Sequence, residues 1–366
     1  MDAWLIGGVK SLLVLFMVLQ VSALLLWVER KGSALIQNRY GANRASLFGV
    51  LPFNLGLVNT LLADPIKLFT KEDFVPAGAD RFIHSLAPFL ALFPALITFA
   101  AIPFGDSIEL AGTTIELVAV DLDVGILYIV ATIAMSVYGV VLAGWASNNR
   151  WALLGSIRGS AQMISYEVAL GLALVSMILT YDTLNLQAMV HAQGNLIFGV
   201  LPAWGFIYQP IALAIVFTSG MAESKRVPFD LPEAESELIA GYFTEYSGGK
   251  QAAFMLADFA EVVMTAGIVV TLFFGGWQVP YLTAEGWHLP FMDLIPVTGW
   301  LVTVMQVGAF TIKLLFFCWL QILVRWTVPR FRYDQLMNLG WKGMIPLALV
   351  NLFITALVIL LAGEFS

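Results

Sequence analysis

Long apolar runs constrain this chain more than any other feature. Eight of them, near residues 4–28, 82–104, 124–147, 161–181, 196–220, 251–275, 299–325 and 343–362, interrupt an otherwise ordinary sequence. A helix needs about 20 apolar residues to cross a hydrocarbon core about 30 Å thick, and each run approaches or exceeds that length. Soluble domains are about half apolar and about a quarter charged, whereas this chain is 60% hydrophobic and 12% charged, with a mean hydropathy of +0.86. The runs are continuous rather than alternating ten-residue segments, which argues against a β-barrel. The expected architecture is all-α: one polytopic membrane domain over residues 1–366, with eight transmembrane helices.

Basic residues set the expected orientation. Loops one, three, five and seven carry sixteen of the eighteen Lys and Arg, and loops two, four and six carry none. The positive-inside rule makes the odd loops cytoplasmic and puts both termini outside. The first run reads as a retained span, because it lacks a basic leader and ends in Glu29-Arg30-Lys31 rather than a small-residue cleavage site. Residues 47–63 are nearly long enough to cross, but crossing would separate Lys67, Lys71 and Arg81 from Arg30 to Arg44. With Leu55, Val58, Leu62, Ile66 and Phe69 at helical spacing, an amphipathic helix at the interface, about 50–71, fits better.

Several chemistries are ruled out by residue type. A single cysteine, Cys318, holds neither an iron–sulfur cluster nor a structural zinc. His84, His191 and His288 are about a hundred residues apart and have no metal-ligand spacing. There is no phosphate-cradling glycine loop, and a net charge of −7 without a basic stripe argues against nucleic acid. Any redox chemistry is expected on another polypeptide or a bound ligand.

Acids are concentrated instead. Residues 222–248, AESKRVPFDLPEAESELIAGYFTEYSG, hold Glu223, Asp230, Glu233, Glu235, Glu237 and Glu245. Glu167, Asp258 and Glu261 fall within spans, where ionisable side chains are costly and default to a functional role. Asp258 and Glu261 are i,i+3 and share a helix face. Lys225, Arg226 and Lys250 are too few to neutralise all of these acids. Neighbouring carboxylates in a low dielectric titrate as a coupled set, which reads as a proton relay in preference to a static network. Lys313, mid-span, reads either as a helix tie or as part of that relay. Asp230-Leu-Pro-Glu233 has the spacing of a helix N-cap, so a short helix toward Phe243 is expected, with Glu233 and Glu237 at i,i+4.

These stretches resemble a known family. ESKRVPFDLPEAESELIAGYFTEYSG, together with VERKGSALIQNRYGANR, ADPIKLFTKED, GWASNNRWALLGSIRGSAQMISYE and RFRYDQLMNLGWK, is similar to the H-subunit family of proton-pumping NADH-quinone oxidoreductase, respiratory complex I. The similarity runs from about residue 10 to the C-terminus. It implies a membrane subunit at the heel of the complex that admits quinone, either ubiquinone or menaquinone, through a tunnel among span one, the interfacial helix and span six. FMN and iron–sulfur clusters would lie only in partner subunits. The implied partners are the peripheral iron–sulfur subunits at the quinone site, the small membrane-arm subunits, quinone and the lipid bilayer. Length and the lack of a transit-peptide pattern point to a bacterial inner (plasma) membrane, a pattern that an organelle-encoded chain would share.

By motif, the implied quinone-binding residues are Glu29, Arg30, Arg39, Ala63, Asp64, Lys67, Phe229, Asp230 and Glu233. The implied proton path runs through Glu167, Glu223, Glu233, Glu235, Glu245 and Asp258, and the expected path also takes in Glu237 and Glu261. Three departures stand out: Phe243 replaces the usual histidine, Ala42 the usual proline, and Asp258 a glutamate. About eight extra residues also lie between Arg44 and Ala63. The rival readings are a related subunit of an energy-converting hydrogenase, a proton-coupled secondary transporter and a passive anchor. A transporter predicts inverted repeats and broken central helices, and no convincing repeat relates the halves.

Overall fold

A computed structural model describes residues 3–41, 63–110, 113–197, 200–283, 286–287 and 295–364. Its helices are α1 (Ala3–Ile36), α2 (Asp64–Thr70), α3 (Arg81–Ile97), α4 (Gly125–Ala146), α5 (Arg150–Tyr181), α6 (Leu186–Gln193), α7 (Gly205–Tyr208), α8 (Pro210–Glu223), α9 (Glu235–Leu238), α10 (Gly248–Phe273), α11 (Gly299–Thr327), α12 (Tyr333–Asn338) and α13 (Ile345–Glu364). Among the described residues, sheet is confined to two short antiparallel hairpins and one three-stranded scrap. All lie in the connections α3–α4, α6–α7 and α10–α11. Among the described residues, seven helices are long and apolar enough to cross a membrane, which fits the expected all-α membrane protein.

The fifth apolar run differs from its expectation as a single span over 196–220. It divides into a hairpin, the single turn α7 and the 14-residue helix α8. Fourteen residues rise only about 21 Å, short of the roughly 30 Å core. The break has a local cause: Pro210 has no N–H and cannot continue the α7 ladder. Gln209 at the break is buried, and its amide bonds Thr180, Thr355 and Asn351 at 3.1, 2.7 and 2.9 Å. Two other helices outrun their apolar runs. α1 continues past Glu29-Arg30-Lys31 to Ile36, and α5 begins at Arg150 rather than near 161.

α10 is the central helix. Its apolar window is 83% buried, against 17% for α1. It packs on α3, α11, α1 and α8, while α5 lies between α4 and α8 and also meets α13. Close approach depends on small residues: a Cβ at Gly139 would lie 2.5 Å from the Ala91 backbone nitrogen, so α3 and α4 are nearly in backbone contact. The interfacial helix is described only over Asp64–Thr70; the rest of the expected 50–71 segment falls on residues 42–62, outside the described residues.

The expected helix after Asp230 shrinks to one turn, Glu235–Leu238. Asp230 does not cap it with its side chain. Its carboxylate is taken by Arg330 at 2.6 Å, a charge-assisted bond that outcompetes a neutral backbone donor. Ile239 and Gly241 then adopt positive φ, 68° and 55°, and end the helix.

Candidate functional site

The loop between α8 and α10 folds back onto α5, because that face of α5 offers glycine, glycine and glutamine at Gly155, Gly159 and Gln162. A Cβ at Gly155 would sit 2.9 Å from both the Pro232 carbonyl and the Gly241 Cα, and one at Gly159 would touch the Pro232 ring at 3.2 Å. Much of the described loop is thereby packed against the helices, while Glu237 and Ile239 stay at the surface.

Burial brings the charges together. Lys225, 2% exposed, bonds Glu261 at 2.7 Å and lies 3.3 Å from Asp258. Burial opposes its ammonium, but the two carboxylates more than offset this and raise its pKa. It therefore stays charged. Glu29 near the end of α1 accepts from Arg226 at 2.5 Å and Arg325 at 2.7 Å, joining α1, the loop and α11. The Arg226 guanidinium also lies 3.7 Å from the Phe259 ring centre, a cation–π contact. For Asp230, burial raises the carboxyl pKa despite Arg330 and Arg325. For half-buried Glu233, burial and then Asp258 and Asp230 hold it well above the usual carboxylate range. Both carboxylate oxygens of Glu223 are buried with no partner among the described residues; its charged neighbours are Glu167, Glu261 and Lys225.

Two cavities meet here. One, of about 300 Å³, is almost wholly apolar, lying between α1 (Ser22, Ala23, Leu26), α2 (Asp64, Pro65, Leu68, Phe69) and α10 (Ala252, Ala253, Leu256). The other, of about 210 Å³, is lined by Glu29, Lys225, Arg226, Asp230, Glu233, Asp258 and Arg325. Leu26, Met255 and Phe259 belong to both linings. An apolar cavity among α1, α2 and α10 thus adjoins a charged one.

Of the residues singled out in the sequence, Glu29, Asp64, Asp230, Glu233 and Asp258 line these cavities. Arg30 pairs with Asp64 at 2.6 Å, tying α1 to α2. Phe229 is buried beside the chamber, 5.6 Å from the Tyr166 and Phe331 rings. Glu223 and Glu261 lie behind it, and Glu167 is half-buried on α5. Other candidates are not brought in. Arg39 is exposed and bonds Gln37. Ala63 and Lys67 are exposed. Glu237 pairs with Arg158 at 2.6 Å on the surface. Glu245 accepts from Asn149 at 2.7 Å elsewhere on the loop. The Glu235 side chain lies outside the described residues.

Arg325 and Arg330 entered the sequence reading only as topology markers, so pairing is more extensive than Lys225, Arg226 and Lys250 alone allow. Bases at a span end facing an acidic loop were the signal that could have found them. Gln162 gave no signal at all. His84, fully buried, stacks on Tyr246 with ring centres 4.0 Å apart and lies 3.5 Å from the Lys250 ammonium. Lys313 meets no acid among the described residues. Its ammonium donates to the carbonyls of Phe274, Gly276 and Gln278 at 2.8, 3.1 and 2.7 Å, closing the C-terminus of α10 as a helix tie.

The family model described as NADH dehydrogenase matches residues 9–356. The second NADH-quinone oxidoreductase H subunit of Syntrophobacter fumaroxidans is 45% identical, over 97% of this chain and 96% of its own length. The second H subunit of the same enzyme in Geobacter sulfurreducens is 44% identical over 97% of each. The H subunit from Bdellovibrio bacteriovorus is 41% identical over 98% of this chain and 97% of its own.

Proposed function

Because the chain belongs to the NADH dehydrogenase family, whose relatives here are subunits of the multi-subunit enzyme NADH-quinone oxidoreductase, we propose that it forms the membrane part of a quinone site and couples quinone reduction to proton translocation. The observation that carries the reading is the sharing of Leu26, Met255 and Phe259 by the apolar and charged cavities. An isoprenoid tail needs a passage with few polar groups, since unpaired polar groups there cost free energy on desolvation. A reduced head group needs polar neighbours that hold and release protons. In this reading α1, α2 and α10 hold the tail, and Glu29, Arg226, Asp230, Glu233 and Arg325 surround the head. Reduction draws protons toward the chamber, and the change in charge passes to Asp258, Glu261, Glu223 and Glu167. Electrons come from FMN and iron–sulfur clusters in partner subunits. The peripheral iron–sulfur subunits dock at the odd-numbered loops, and the small membrane-arm subunits pack beside the helices.

The same reading takes α7 and α8 together as the eighth, discontinuous span of one membrane domain. It sets the basic loops in the cytoplasm of a bacterial cell, with both termini outside the inner membrane.

Two variants test it in the assembled complex. Ala253→Phe fills part of the apolar cavity and displaces the tail; a loss of about 1.4 kcal/mol of tail binding raises KM for a long-tailed quinone by about tenfold, while a tail-less quinone is little affected. Equal KM changes for both quinones would remove the passage. Glu223→Gln leaves quinone reduction measurable but lowers protons moved per quinone reduced. Unchanged reduction and unchanged pumping would remove Glu223 from the path.

A further inference from the structure

We infer that Gln162 is a positioning residue for the charged chamber, clamping the loop that carries its charges to the helix that carries Glu167. The inference rests on the reading of that chamber as the quinone head-group site. Gln162 is fully buried on α5. Its side-chain nitrogen donates to the Ala222 carbonyl at 2.7 Å and the Phe229 carbonyl at 2.8 Å. Those carbonyls are the two feet of one connector: Glu223 follows the first, Lys225 and Arg226 lie between, and Asp230 follows the second. One amide group thus uses both of its N–H donors to fix both ends of the segment.

Alternative fixings are few. Apart from Gln162, the Ala222 carbonyl accepts, among the described residues, only from the neighbouring backbone N–H groups of Ser224 and Lys225, the latter at a long 3.4 Å. The Phe229 carbonyl has no other donor among the described residues. The second foot also sets the Phe229 ring between Tyr166 and Phe331. Gln162 lines neither cavity, so it touches no substrate there. The donors are specific to an amide. Leucine fills similar space without them, and an ionised glutamate sets a negative oxygen against two carbonyl oxygens. A protonated glutamate restores one donor.

The experiment measures KM and kcat per assembled complex for a soluble short-tailed quinone, in membranes carrying wild type, Gln162→Leu or Gln162→Glu. Gln162→Leu is expected to raise KM by about fivefold or more, with kcat per complex within about twofold, the split of a lost ground-state positioning effect. Gln162→Glu is expected to lie closer to wild type at about pH 6 and to drift upward in KM relative to wild type toward about pH 8.5, as its carboxyl ionises. A structural filler predicts another pattern: less assembled complex, but wild-type KM per complex for both variants at every pH. That result overturns the inference. If Gln162→Leu does not assemble, the pH course of Gln162→Glu decides alone, and a KM ratio to wild type that is constant with pH overturns it. Failure of the chamber reading is read separately, from an Ala253→Phe variant that treats long-tailed and tail-less quinones alike.

Discussion

At the scale of single residues, charge pairing separates acids held by bases from acids left without a partner. Lys225 is shared by Asp258 and Glu261, and Glu29 is shared by two arginines. A buried cation removed from such a cluster leaves uncompensated charge, so these groups are structural whatever else they do. Glu223 has no such partner among the described residues, which is why it is the better test of proton movement. A different pair lies in the connections far from the loop. His191 on α6 sits 3.3 Å from Asp106 and is half-exposed. The hydrogen bond to that carboxylate, against the opposing effect of burial, raises the His191 pKa above its ordinary 6.5. Since the folded value is the higher one, its stabilisation is fully present below about pH 6.5 and is lost as pH rises through the folded value. An exposed pair contributes under about 1 kcal/mol. The melting temperature of His191→Gln should therefore fall slightly below wild type near pH 6 and converge with it at alkaline pH. A gap that widens with pH would contradict the assignment.

Elements are held by features too small to register as hydropathy. The loop lies on α5 because Gly155 and Gly159 let it approach and because Gly241, at φ 55°, turns back against Pro232. An L-residue in the left-handed region costs about 1–2 kcal/mol before any clash, and a Cβ at Gly241 would collide with the Pro232 carbonyl oxygen. Gly241→Ala is thus expected to destabilise the loop by about 2 kcal/mol or more. Limited proteolysis in membrane vesicles should then cut residues 232–241 severalfold faster. Gly171→Ala, where nothing lies within 4 Å, serves as the control and should behave as wild type. The break at Gln209-Pro210 was equally quiet. A proline is tolerated in apolar runs when neighbours satisfy the freed backbone, so the run reads as continuous until Thr180, Asn351 and Thr355 are seen around Gln209.

For the whole molecule, the basic residues make a directional prediction. Cys318 is buried, so an impermeant thiol reagent reports only on introduced cysteines. Glu72→Cys, in an exposed basic connection, should label only from the cytoplasmic face. Thr298→Cys, exposed at the start of α11, should label only from the opposite face. Labelling of both from one side would overturn the orientation. The apolar runs alone determined that the chain is a helical membrane protein, because unsatisfied backbone is too costly in lipid for other forms. The long motifs determined the family. The sequence also located the acids, since charges in so apolar a chain stand out. What it could not decide was which acids are paired and which are free. Arg325 and Arg330 meet Glu29 and Asp230 only when helices distant in sequence pack. The meeting of an apolar and a charged cavity at Leu26, Met255 and Phe259 was decided by the same packing. Ion pairing falls off over a few ångströms, and distances on that scale between remote segments are set by tertiary structure alone.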